Sequence, residues 1–400
     1  MRGFLVSAMS LAAVFSLLPG FATAENQYQS DAECDVVIPS NQHLLDGETS
    51  GIDSGATICL AAGERGPLRI RNVLGSEEAP VVIRNEQGTV TTTPYEYSIA
   101  IEGSKWLRLT SIAPSESESY GIKLGGTLSI GALSEKIEID HIEIYRARFA
   151  GMLIKTDPNC DSATWAENFT MSGIKIHHNY IHDTEEGEGM YVGYTGLQRN
   201  LECEGVATTV YPHKLQNVDI SHNVLENIAA DGIQLNSVLG DSRISQNRIY
   251  RTGVSPFSPY WQNTGIQVGG SDVEVSGNLI FKSGGNGMML DGDALTVKDN
   301  HILYAGENGI FARNPAQQNA EISNGEPHQY KNNLIVQSTS YGIKLYAVNT
   351  VRPHQITDNS IENFGQVDQA GRPMTFSYLN SDVLVDENNN RHYIVSEKAQ

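Results

Sequence analysis

The sequence predicts an all-β fold: a solenoid of short strands, each turn stacked in parallel on the one before. Two observations carry this. Four segments superpose, VDISHNVLENIAADGIQL (218–235), VEVSGNLIFKSGGNGMML (273–290), LTVKDNHILYAGENGIFA (295–312) and HQYKNNLIVQSTSYGIKL (328–345). Each has alternating apolar residues, an Asn, a Gly nine positions later and a second short alternating segment, giving the pairs Asn223–Gly232, Asn278–Gly287, Asn300–Gly309 and Asn333–Gly342. The second observation is that no segment keeps a 3.6-residue apolar period over three helical turns. The shortest repeats, Asn278 to Asn300 and Asn223 to Asn247, are 22 and 24 residues by subtraction. A period of that size built from strands and corners means stacked turns, none of which buries its inward residues alone.

In chain order, the opening MRGFLVSAMSLAAVFSLLPGFATAEN has one basic residue, Arg2, an apolar run from Phe4 to Leu18, and small residues at Ala22 and Ala24. It reads as a secretory signal peptide over residues 1–24, cleaved after Ala24. The run is too short to span a bilayer and no later segment is long and apolar enough, so a secreted protein, periplasmic or extracellular, is expected. Residues 25–105 read as an N-terminal cap with the first turns, 106–365 as the repeats, and 366–400 as a C-terminal cap, because open solenoid ends expose unpaired edges. Weaker rungs fit with one edit: Asn179–Gly189 is one residue longer, and Asn247–Gly265 carries the insertion GVSPFSPYWQN. Ile142–Gly151 and Ile112–Gly121 put Ile where Asn belongs, and a last partial rung holds Asn359. The Asn column suits corners that need an unusual backbone angle, and stacked amides can bond one another along the solenoid. The Gly column is expected to allow a tight corner before the next strand.

Composition excludes several partners. The formal charge is −20, and losing Arg2 takes it to −21. Such a chain repels nucleic acid and anionic membranes, and also a polyanionic substrate unless a local basic patch or bound cations intervene. Four cysteines in an exported chain suggest the disulfides Cys34–Cys59 and Cys160–Cys203. There is no CxxC zinc pattern and no nucleotide, haem or flavin motif.

The repeat, across residues 100–365, resembles the right-handed parallel β-helices of the pectate-lyase-like superfamily, and CLAAGERGPLRIRNVLGSEEAPVVIRNEQGTV resembles the start of many exported members. The resemblance implies a right-handed parallel β-helix solenoid with capped ends; it does not fix the chemistry. Subfamily signatures are mostly missing. There is no RHG segment like that of alginate and chondroitin lyases, no paired Asp with GHG of the polygalacturonase kind, and no RxPxxR of pectate lyases. KTDPNC holds the Asp157–Pro158 pair of the epimerase DPH motif, with Asn159 in place of its His.

After each column Gly, positions +1 and +3 are apolar and should point inward, so +2 and +4 should point out. The outward set reads Lys123/Gly125, Leu153/Lys155, Tyr191/Gly193, Gln234/Asn236, Gln267/Gly269, Met289/Asp291, Phe311/Arg313 and Lys344/Tyr346. Aromatic and amide side chains along a groove suit a sugar chain, with ring faces to stack on and planar amides to bond hydroxyls. Lys123, Gln234, Asn236, Gln267, Asp291, Phe311, Lys344 and Tyr346, with Trp261 of the insertion, are the expected substrate-binding residues. Long insertions after Lys155, Gly193 and Arg313 leave on one side of the stack, and the Cys160–Cys203 disulfide would tie two of them into one wall.

The stretch HHNYIHDTEEGEGMYVGYTG (177–196) is a rung decorated beyond what a rung requires. One reading makes it a source of proton transfer: Tyr191 or His182 moves the proton beside a uronic acid carboxylate that Lys155 or Arg313 neutralises. Another gathers Asp183, Glu185, Glu186 and Glu188 around calcium, although the spacing matches no defined calcium loop. The expected function is a polysaccharide lyase that cleaves a uronic-acid-containing glycan by β-elimination. The alternatives are a glycoside hydrolase, for which Asp291 is the one acid in the groove column, and a carbohydrate-binding or adhesion protein without chemistry.

Overall fold

The computed structural model describes residues 33–115, 117–258, 262–313, 325–348, 350–363, 376–378 and 383–394. They form a right-handed parallel β-helix with three faces. A turn in mid-solenoid runs from face 1 (Glu135–Asp140) through face 2 (Ile142–Tyr145) to face 3 (Met152–Ile154), and the chain then returns to face 1 at Thr170–His177. Each strand pairs in parallel with its counterpart one turn away: Ile139 lies opposite Ile176, Ile144 opposite Ile181, and Met152 opposite Met190. Regular pairing begins at Val36–Ile38, so the stacked turns start well before residue 105. Among the described residues the antiparallel strand pair is a hairpin, Arg199–Cys203 with Val206–Val210, that stands off the solenoid. No helix of the described residues is long and apolar enough to cross a membrane.

The core is the stack of inward side chains. On face 3 the file Met152, Met190, Ile233, Ile266, Met288, Ile310 and Ile343 is fully buried, as is the file Ile154, Val192, Leu235, Val268, Leu290, Ala312 and Leu345. Between faces 1 and 2 runs the Asn ladder. The Nδ2 of Asn179, Asn223, Asn247, Asn278, Asn300, Asn333 and Asn359 each donates to the Oδ1 of the next Asn, at 2.9–3.0 Å, and Asn390 extends the file by one.

Two backbone expectations are corrected. The left-handed residue at this corner is the one before the Asn, as at His178 (φ 56°), His222 (58°), Gln246 (57°), Asp299 (57°) and Asn332 (54°). The Asn is selected for its amide. The column glycines Gly189, Gly232, Gly265, Gly287 and Gly309 likewise have no positive φ. They are needed for closeness: a Cβ at Gly287 would lie 2.5 Å from the Gly309 carbonyl oxygen, and at Gly232 2.5 Å from that of Gly265.

Both expected disulfides are present, Cys34–Cys59 and Cys160–Cys203. The first ties the opening turn to the second. The second ties the hairpin to the loop that follows Lys155.

Candidate functional site: a cleft on face 3

The parallel register places Leu153, Tyr191, Gln234, Gln267, Met289, Phe311 and Lys344 in one cross-strand file on the outer side of face 3. Loops rise at both edges. Thr195 follows the strand Met190–Val192, and its hydroxyl accepts from Gln234 Nε2 (2.7 Å) and Asn236 Nδ2 (3.1 Å). The insertion before Gln267 brings Phe257, Ser258 and Gln262 to the opposite edge. With Gln234, Gln267 and Arg313 as floor, these residues enclose a cleft of about 300 Å³.

The cleft has an unusual polar lining. Gln234 Oε1 and Gln262 Oε1, on residues that line it, are buried with no hydrogen-bond partner within the protein, and native proteins leave few such atoms. Glu188 Oε2, Asp231 Oδ2 and Thr264 Oγ1 are likewise without a partner, on buried residues behind the lining. Arg313 is spoken for: its Nη2 donates to Asp291 Oδ2 at 2.8 Å, its Nε bonds Asp291 Oδ1, and both residues are buried. Gln267 Nε2 completes this group on Asp291 Oδ2 at 3.1 Å.

At the other end Lys155 Nζ lies 4.9 Å from the Tyr191 ring centroid and 5.3 Å from that of Tyr194, held by Asp157 at 2.8 Å. A cation over a tyrosine face stabilises negative charge developing on the phenol. Beneath them lie two acids that directly precede column glycines. Burial raises the Glu188 carboxyl above its usual range, opposed by Lys155 and by Gln262, whose Nε2 donates to Oε1 at 3.2 Å. Burial raises the Asp231 carboxyl far more, with the charges of Glu188 and Asp291 adding to the effect; its Oδ1 accepts from the Thr264 backbone N–H at 2.7 Å.

Several expected residues lie elsewhere. Lys123 is on face 2, opposite Glu143, where it pairs with Glu143 (3.6 Å) and Glu118 (3.8 Å). The strand Ile122–Gly131 bends from face 2 to face 3, so the groove-file residue of that turn is Ser129, opposite Leu153. His182 is also on face 2, between Tyr145 and Glu226 in the register. It stacks on Tyr180 with centroids 4.3 Å apart and bonds Asp183 at 2.7 Å and Glu143 at 3.5 Å. Burial pulls its imidazole down, but those two carboxylates outweigh burial and hold it above its usual value. It is separate from the cleft. Phe311 and Lys344 stay on face 3, Lys344 Nζ 5.1 Å from the Phe311 centroid, and Tyr346 stands exposed at its margin. Trp261 lies outside the described residues.

The four acids expected to gather calcium have different partners: Asp183 bonds His182 and Asn227, Glu185 faces Arg146, Glu186 faces Arg148, and Glu188 bonds Gln262. Among the described residues the carboxylate-containing group compact enough for a metal is Glu138, Asp140 and His177. There Arg108 Nε sits 3.1 Å from Glu138 and 2.7 Å from Asp140. The four expected acids do not come together, and the possible acidic metal-binding triad is Glu138, Asp140 and His177.

Thr195, Asp231 and Gln262 were missed as site residues. One signal existed for Asp231. The position before each column Gly forms a second buried file, Glu188, Asp231, Thr264, Asn286 and Asn308, in which amide and hydroxyl residues suffice and two acids stand out.

A family model described as a right handed beta helix region matches residues 199–351. No curated protein matches the chain. Among solved structures the chain is similar to an alginate lyase from Paenibacillus sp. str. FPU-7, at 13% identity over 90% of this chain and 99% of that one, with a TM-score of 0.43. It is similar to a GH136 lacto-N-biosidase from Eubacterium ramulus at 12% identity, over 90% and 68% of the two chains, TM-score 0.46. It is similar to a PL6 family polysaccharide lyase from Pseudopedobacter saltans at 12% identity, over 88% and 93%, TM-score 0.41. At these identities the likeness is one of fold. By its own repeat, its register and the family match over residues 199–351, the chain folds as a right-handed parallel β-helix.

Proposed function

We propose that the protein is an exported enzyme that cleaves a uronic-acid-containing polysaccharide by β-elimination in the face 3 cleft. The observation that carries the polysaccharide reading is the file of Tyr191, Gln234 and Gln267 walled by Thr195 and Gln262, in which Gln234 Oε1 and Gln262 Oε1 are left without a partner. Sugar hydroxyls are donors at close spacing, and the ring faces of Tyr191 and Phe257 suit their apolar sides. Two disulfides support an oxidising compartment.

For elimination, the uronate carboxylate faces Lys155, which stabilises the charge that builds when the adjacent C–H bond breaks. Tyr191, under the same cation, takes the carbon-bound proton on its phenolic oxygen. The C–O bond to the neighbouring sugar breaks as the ring double bond forms, and Tyr191 returns the proton it took to the departing oxygen, which restores the base. Arg313 is engaged by Asp291 and serves to hold the floor.

A second reading, glycoside hydrolysis, is favoured by Glu188, whose carboxyl burial raises behind Gln262 of the cleft, the direction a general acid needs. The test is a panel of alginate, pectate, hyaluronan, chondroitin and ulvan, followed by the ultraviolet absorbance of unsaturated uronate ends and by new reducing ends. Absorbance that rises with one polymer and falls at least about 100-fold in rate in Tyr191→Phe and Lys155→Ala fits elimination. Reducing ends without absorbance, lost in Glu188→Gln, would replace it with hydrolysis. Retention by a polymer with neither product would make the protein a binding module.

A further inference from the structure

The HH pair that opens the decorated stretch takes no part in the cleft. His177 ends the face 1 strand Thr170–His177, and His178 is the left-handed corner residue that follows. In an extended strand consecutive side chains diverge. Here the corner swings the second ring back, so the two imidazoles meet edge to face with Nδ1 atoms 2.9 Å apart.

We propose that His177 and His178 form a chelating site for a divalent transition-metal ion of the zinc, nickel or copper class, bound through both Nδ1 atoms at the corner between faces 1 and 2. The spacing is the first argument. Two nitrogens bound at about 2.0–2.1 Å to one ion lie about 2.9 Å apart at a right angle and about 3.4 Å apart at a tetrahedral one. The rings are therefore set at the ligand edge, and an ion takes the place of the proton that the two nitrogens share.

The surroundings are the second argument. His177 turns its other nitrogen, Nε2, to Glu138 Oε1 at 3.5 Å, the carboxylate support that orients metal-binding imidazoles. His178 is clamped between the parallel rings of His141 and His222, with centroids at 5.3 and 4.9 Å and interplanar angles of 7° and 4°. That stack fixes its orientation across three turns. Arg108 is occupied by Glu138 and Asp140. Imidazole donors select zinc, nickel or copper over calcium and magnesium, and water fills the remaining positions. The site does not depend on the cleft and stands whether or not the proposed elimination does.

The test uses the full chain without a histidine tag, cleared of metal by a chelator, and titrated calorimetrically with zinc or nickel chloride. One equivalent is expected to bind, with calcium giving no heat. His177→Gln and His178→Asn should each abolish binding or weaken it at least about tenfold; Asn is tolerated at this corner, as Asn332 and Asn389 show. His222→Asn, which removes a stacking neighbour and no ligand, should keep the stoichiometry. Unfolding midpoints of the metal-free variants close to that of the parent would show intact turns. No binding by the parent, or equal binding by the His177 and His178 variants, overturns the proposal.

Discussion

Asp231 shows what a single residue gives up in this fold. It lies wholly inside, one oxygen bonded to the Thr264 N–H and the other without a partner. Its carboxyl is raised well above its ordinary range by burial, so the folded protein holds a proton that the unfolded chain releases near pH 4. A raised carboxyl contributes stability fully below the unfolded value and loses it as pH rises through the folded value. Glu188 adds in the same direction. The substitution Asp231→Asn removes this dependence at one site, and the file already accepts Asn at Asn286 and Asn308, where Asn308 Nδ2 donates to Asn286 Oδ1 at 2.8 Å. Relative to the parent, the variant is expected to gain about 1 kcal/mol or more at pH 8 and close to nothing at pH 4. Denaturant unfolding at the two pH values measures this; an equal gain at both would mean that Asp231 titrates normally.

Among the elements, the corner ladders carry the stack. Asn278 donates its backbone N–H and Nδ2 to Asn300 and bonds the Ile244 and Ser276 carbonyls, while its Oδ1 accepts from Asn247. Asn278→Ala strands buried donors on Asn247 and carbonyls on two turns, at about 1–3 kcal/mol for each group left without a partner. Gly287→Ala drives a methyl to 2.3 Å from Ile302 Cγ2 and 2.5 Å from the Gly309 oxygen. A loss of at least about 2 kcal/mol is expected by the same unfolding assay, and an unchanged midpoint in either variant would mean that neighbouring turns slide freely.

These ladders were legible in the sequence because each rung repeats the same inward geometry, so Asn223–Gly232 and Asn278–Gly287 keep one spacing. The reasons were less legible. Spacing does not separate a residue with a left-handed backbone from its neighbour, so the strain was assigned to the Asn when His178 and His222 carry it. Alternation alone does not say which face a strand joins, which is why Lys123 and His182 were misplaced. Thr195 and Gln262 reach the cleft through insertions that no repeat encodes.

For the whole molecule, charge gives the sharpest expectation. A chain of net charge −20 meets its proposed polyanionic substrate against a repulsive field, and along face 3 the local cations are Lys155, paired with Asp157, Arg313, paired with Asp291, and Lys344. The first acts within a few ångströms and the second is neutralised by Asp291, so neither reaches far into solvent. Long-range repulsion is screened over about 30 Å at 0.01 M salt and about 10 Å at 0.1 M. Short contacts between Lys155 and a desolvated carboxylate are screened much less. Added salt should therefore speed encounter before it weakens binding, so kcat/KM for a uronate polymer should rise severalfold between those two concentrations and decline only at higher salt. A protein that relied on a basic surface would show a monotonic fall. A neutral glycan, as a hydrolase in the same cleft could take, would show no dependence, because nothing on it feels the net charge. The salt profile of the active polymer thus reports on the charge of the natural substrate independently of the bond that is broken.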